Sequence, residues 1–164
     1  MAKHANIQSA TLTRPATTTQ YTANDAMSDS ASAPTALQWN SVNNTGHITG
    51  LTVTDGANQA TLPQLEVYVF TASPTATNDN TEFGATDAEA LTLVAAFSVA
   101  TFYDLDPTAG TNGNAFACVT PIGDGPRSYA CSTDNTLYGL VKVLNTYTPL
   151  SGEIFTFVLH TEED

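Results

Sequence analysis

The sequence predicts an all-β protein, an antiparallel jelly roll or β-sandwich of about eight strands. Three observations carry this. Threonine occurs 28 times among 164 residues, and its branched Cβ suits a pleated, half-buried strand. Turn-forming clusters recur along the chain, at Asn43-Asn44-Thr45-Gly46, Asp55-Gly56, Gly110 to Asn114 and Gly123-Asp124-Gly125-Pro126. Between them lie short runs in which apolar and polar residues alternate.

The first run, Ile7 to Arg14, places Ala10, Leu12 and Arg14 on one side. His47 to Thr54 sets Ile48 out of phase with Leu51 and Val53, a fault that a bulge at Gly50 corrects. Leu65 to Phe70 is apolar on one side and mixed on the other. Leu91 to Phe102 is nearly continuous in apolar residues, the pattern of a central strand buried on both faces. Leu137 to Leu144 and Ile154 to Leu159 complete the set, with Phe155, Phe157 and Leu159 on one core-facing side. A single short helix is expected near residues 86–91, where Thr86 caps and Glu89 completes a capping box. The eight prolines fall near strand ends, where a missing N–H costs little. The expected organisation is an N-terminal arm or first strand over residues 1–22, then one sandwich domain over residues 23–164.

Charge narrows the function classes. Sixteen Asp and Glu face four Lys and Arg, for a net charge of -12. Lys3, Arg14, Arg127 and Lys142 are too few and too scattered for a phosphate-tracking groove, so a nucleic-acid partner is not expected. No apolar run approaches the roughly 18 residues that cross a bilayer. The first residues lack the apolar core of a secretory signal, so cytoplasmic synthesis is expected.

The sequence offers little chemistry, and no enzyme or cofactor is expected. His4, His47 and His160 lie far apart, no Gly-x-Ser-x-Gly elbow occurs, and the two cysteines do not complete a zinc set. Asp104-Leu105-Asp106 and the Asn78-Asp79-Asn80 loop with Glu82 are rich in oxygen ligands, but neither follows the twelve-residue calcium-loop pattern. No metal site is assigned. Trp39 alternates with Leu37 and is expected in the core or in a subunit interface, together with Tyr103 and Tyr147. Cys118 and Cys131 bracket a Pro/Gly turn. A hairpin there would allow a disulfide, whereas a reducing cytosol favours two thiols, and both readings stand at this point.

Local motifs are more informative. The opening Leu12-Thr13-Arg14-Pro15-Ala16-Thr17-Thr18-Thr19-Gln20-Tyr21-Thr22-Ala23-Asn24-Asp25-Ala26-Met27-Ser28-Asp29 resembles the start of a family of tailed-bacteriophage head decoration, or capsid cement, proteins. The family pattern runs Arg-Pro-x-x-Thr-x-x-Tyr-x-x-Gly-Asp. Leu65 to Thr75, Asn78-Asp79-Asn80-Thr81-Glu82-Phe83 with Thr86 to Glu89, Leu137 to Val141, and Tyr147 to Phe157 follow in the family's order, so the likeness spans nearly the whole chain. Asn24 stands where the family has Gly, and Asn is the residue best able to replace Gly at positive φ.

The resemblance implies a jelly-roll virion protein on the outer capsid, made in the host bacterial cytoplasm, with the major capsid protein as partner and a homotrimer as its state. A tail or fibre adhesion module binding host glycans is the alternative. Within this reading the N-terminal segment is expected to dock on the shell through Lys3, Ile7, Leu12, Arg14 and Pro15. Arg14, a lone cation on an acidic protein, is the foremost candidate.

Overall fold

A computed structural model describes residues 4–57, 59, 61–104, 114–123, 125–131 and 134–163. Eleven strands form two antiparallel sheets, and the only helix among the described residues is a single turn. In chain order the elements are β1 (His4–Thr13), β2 (Ala26–Met27), β3 (Leu37–Asn40), β4 (Thr45–Asp55), β5 (Leu65–Phe70), α1 (Asp87–Ala90), β6 (Leu93–Val99), β7 (Tyr103–Asp104), β8 (Ala115–Val119), β9 (Arg127–Ala130), β10 (Thr136–Val143) and β11 (Ile154–Glu163). The all-β sandwich is as predicted. The count exceeds eight because strands as short as β2 and β7, two residues each, cannot announce themselves by alternation.

The first sheet runs β1-β11-β4-β8-β7, with β9 also paired to β4; the second runs β2-β10-β5-β6, with β3 also paired to β10. Alternation decides the inner faces. Leu51 and Val53 of β4 meet Phe155, Phe157 and Leu159 of β11 on one layer, and Val67, Val69, Phe97, Leu137 and Val141 supply the other. Trp39 stitches the layers together: it is fully buried, and its indole N–H donates to Phe157 O at 2.9 Å. Gly139 makes room for it, since a Cβ there would lie 2.6 Å from Trp39 Cη2.

The bulge falls where phase demanded it. β4 pairs His160 with Gly50 but Thr161 with Ile48, so Thr49 is the extra residue and Ile48 returns to the core. Helix α1 carries the full capping box, with Thr86 accepting from Glu89 N and the Glu89 carboxylate accepting from Thr86 N. These bonds hold the Glu89 carboxyl down at about 2.

One expectation is corrected and two open readings are resolved. β6 is an edge strand, not a central one. Ala95, Phe97 and Val99 point inward while Ala96 and Ser98 do not, and small alanines made the run look continuous. Of the two readings of the N-terminal segment, the first strand is the one found: all ten residues of β1 pair with β11, from His4↔Glu163 to Thr13↔Ile154. Finally, β8 and β9 do not form a hairpin with each other. Both run antiparallel to β4, end to end along one edge of it, with Cys118 beside Thr52 and Ala130 beside Thr45. Thr52 lies eight residue steps along the chain from Asn44, the residue before β4, whose carbonyl accepts from Cys131 N. At ~3.3 Å per residue that is roughly 26 Å, far beyond disulfide reach. Both cysteines are free.

Candidate functional site

Of the residues expected to dock, Ile7 is well exposed at 61%, Pro15 is half-buried, and Lys3 lies outside the described residues. Leu12 and Arg14 are buried, because Leu12 falls on the inner side of β1 and Arg14, the residue after its end, continues that side. Arg14 is therefore no surface anchor. Its Nη2 meets Asp79 Oδ2 at 2.9 Å, and its Nε donates to the Tyr21 hydroxyl. The Tyr21 hydroxyl in turn donates to Asp79 Oδ1 at 2.5 Å, and Ser28 N–H reaches the same oxygen at 3.0 Å. Asp79 thus belongs to an internal ion pair, which removes it from the oxygen-rich loop. Burial, reinforced by the bond to Asp79, pushes the Tyr21 phenol up.

A second buried cluster adjoins the first. Tyr21 stacks on Tyr147 with ring centres 6.3 Å apart and planes at 9°, and Tyr21 N–H donates to Tyr147 O at 2.8 Å. The Tyr147 hydroxyl donates to Glu153 Oε1 and accepts from Gln59 Nε2 at 3.0 Å. Glu153 hydrogen-bonds Asp55, and both carboxyls are buried. Desolvation raises the Glu153 carboxyl to about 7, with the Asp55 charge adding to the rise against the Tyr147 bond. Asn24, at φ 76, and Gly152, at φ 66, turn the chain into and out of these clusters.

The other described cations are also held within the chain. Lys142 pairs with Glu66 and sits over the rings of Tyr68 (5.5 Å) and Phe83 (6.0 Å). Arg127 donates to Ile122 O. Trp39 and Tyr147 are fully buried, so as folded they cannot form an oligomer interface; Tyr103, 63% exposed, can. Among the described residues no group of three or more His, Cys, Asp or Glu side chains is placed to hold a metal ion.

Exposed large apolar residues include Leu91, Ile122 and Leu150, but the broad regular surface with several of them is the outer face of the first sheet. Register and alternation build it in rows. One row is Ser9, Val158, Thr52 and Cys118. The next is Thr11, Thr156, Thr54, Phe116 and Tyr103, where the last two rings lie 5.9 Å apart. Ile7 and Ile154 stand on flanking rows. Hydroxyls tie strands laterally: Thr52 Oγ1 lies 2.9 Å from His160 Nε2 and 3.4 Å from Cys118 Sγ, and His47 Nδ1 lies 3.1 Å from Ser128 Oγ.

Sequence reasoning did not find this face, because it is a property of cross-strand register. Nor did it find the buried carboxylates Asp55, Asp79 and Glu153, since charged residues are rarely fully buried unless paired. One signal for Arg14 was present: it continues the inward period of Ala10 and Leu12.

No protein-family model matches the chain, and no curated protein matches it significantly. Among solved structures it is similar to a variant catalytic domain of a GH87 alpha-1,3-glucanase in complex with tetrasaccharides and to that catalytic domain in complex with nigerose. Each comparison has 12% identity and a TM-score of 0.31, and covers 98% of this chain but 28% of the other. A likeness at that score carries no argument about fold, substrate or activity.

Proposed function

We propose that this chain is a structural protein of a tailed-bacteriophage virion, a decoration protein on the outer surface of the head. In this reading it self-associates as a homotrimer and secures neighbouring major capsid protein subunits by contact area. One observation carries the proposal. The residues that give the sequence its likeness to that family converge in space. Arg14, Tyr21 and Asn24 come from the opening motif, Asp79 from the Asp-Asn-x-x-Phe stretch, and Tyr147, Gly152 and Glu153 from the closing one, and they build the two adjoining buried clusters. Phe83, from the same stretch as Asp79, stacks on Tyr68 at 5.2 Å. Motifs that meet this way specify a fold, which supports a shared architecture rather than a chance run of similar residues.

The same geometry moves the attachment surface. The Arg14-centred motif holds the sandwich together, so contact with the shell does not fall to Arg14 or Leu12. High negative charge suits a protein displayed in many copies, since it discourages contact with DNA and with other particles. The test is sedimentation of the purified protein with heads that lack it. Saturable binding, unchanged by added glycans, supports decoration. Glycan binding by the isolated protein with no head association would transfer the assignment to an adhesion module.

A further inference from the structure

The outer face of the first sheet is the one broad surface among the described residues that is nearly free of acid. Its rows hold threonine, serine, valine, isoleucine, alanine, His47, His160, one cysteine and two aromatics, and of the described acidic residues only Glu162 projects from it; Asp104, exposed on edge strand β7, pairs with inward-facing Ala115. Asp55 and Glu163 belong to the same strands but point inward and are buried. The opposite side of the sandwich is different. Glu66 sits on the second sheet's outer face, and the segment that follows β5 lies over that sheet through the Phe83–Tyr68 stack, bearing exposed Glu82 and Asp87.

We infer that the outer face of the first sheet is where copies of this chain join one another. This takes up only the self-association in the proposed function, and it changes the number: a face that meets its own copy is two-fold, so it joins chains in pairs rather than in threes. Charge selects the occupant. Two copies at -12 each repel, and most other approaches set carboxylates against carboxylates. Only this face lets identical surfaces meet with one acid apiece. Its size also fits. The ten or eleven residues of β1, β11 and β4, with collinear β8 and β9 as a fourth row and two-residue β7 beyond, give roughly 650 Å² at ~3.3 Å by ~4.8 Å per residue, at the lower end of what each partner contributes to a standard stable interface. Ile7 (61% exposed), Ile154 (48%) and Tyr103 (63%) stand out from it as apolar anchors around the threonine rows. Sheets stacked this way pack at roughly 10 Å, and the threonine methyls fill that gap.

The experiment measures mass by sedimentation velocity across the micromolar range, for the full chain and for Thr156→Glu, Ile7→Glu and the control Ser73→Glu. Circular dichroism checks that each variant folds; Ile7 lies on an exposed edge strand, so at least that variant keeps its structure. Alkylation of Cys118, followed by peptide mapping, reports directly on the face. The expected result is a multiple of the 17.2 kDa chain mass for wild type and control. Both face variants dissociate at least about tenfold more readily, and Cys118 alkylates more slowly in the assembly than on dilution. A wild type at 17.2 kDa throughout overturns the inference and the self-association with it. An assembly that survives in both variants, or equal Cys118 rates in assembly and monomer, overturns this face and leaves self-association standing.

Discussion

Removing the Arg14 guanidinium separates a folding role from a docking role. In Arg14→Met the Asp79 carboxylate stays buried with its partner gone. It keeps Ser28 N–H at 3.0 Å and the Tyr21 hydroxyl at 2.5 Å. The lost attraction at 2.9 Å is about 6 kcal/mol at an effective dielectric constant of ~20. Some of it is returned, because neither ion then competes for the other's solvation. Truncating one partner of a buried pair costs about 3–5 kcal/mol in practice. Against a total of roughly 5–15 kcal/mol, that is a large share. Replacing both partners, Arg14→Met with Asp79→Leu, should recover much of the loss, since an apolar pair of similar volume is often neutral. Urea unfolding followed by Trp39 fluorescence is the assay; Trp39 is the single tryptophan and is fully buried, so its signal reports the core. A cost below about 1 kcal/mol for Arg14→Met would refute the reasoning, because an exposed or weakly held pair behaves that way.

Three further outcomes follow from the same structure. Glu153 is raised from 4.5 to about 7 in the folded chain. The folded state therefore binds the extra proton between those values, so the Glu153 contribution is fully present below about 4.5 and is lost as pH rises to about 7, by about 3 kcal/mol in all. Stability against pH shows that decline in the wild type, and Glu153→Gln removes it. Gly139→Ala places a Cβ 2.6 Å from Trp39 Cη2; it costs about 1–3 kcal/mol and shifts Trp39 emission, because the ring must move in a packed core. Thiol titration in denaturant without reductant finds both Cys118 and Cys131, and a single unreactive disulfide would contradict the collinear arrangement of β8 and β9.

The long strands were legible because burial on one side writes itself as alternation. Phe155, Phe157 and Leu159 declared their side of β11, and the misplaced phase of Ile48 called for the bulge that appears at Thr49. The helix cap was legible because Thr86 and Glu89 act locally. The short strands were not, since two residues such as Ala26 and Met27 show no period. The buried clusters were hidden for another reason. Asp79 and Glu153 look like ordinary surface acids until the chain brings Arg14 and Tyr147 to them across 65 and 6 residues respectively. The state of the cysteines stayed open because a Pro/Gly turn says that the chain bends, not whether the flanking strands meet. Arg14 misled for a related reason: its charge argued for the surface while its period argued for the core, and the period was right.

The central claim is that this chain decorates a phage head in many copies. Quantitative mass spectrometry of purified particles of the phage that encodes it tests that most directly, with the major capsid protein as internal standard. The account predicts hundreds of copies per particle, in fixed proportion to the major capsid protein. A handful of copies, confined to the tail fraction, or no particle-associated copies at all, would contradict it.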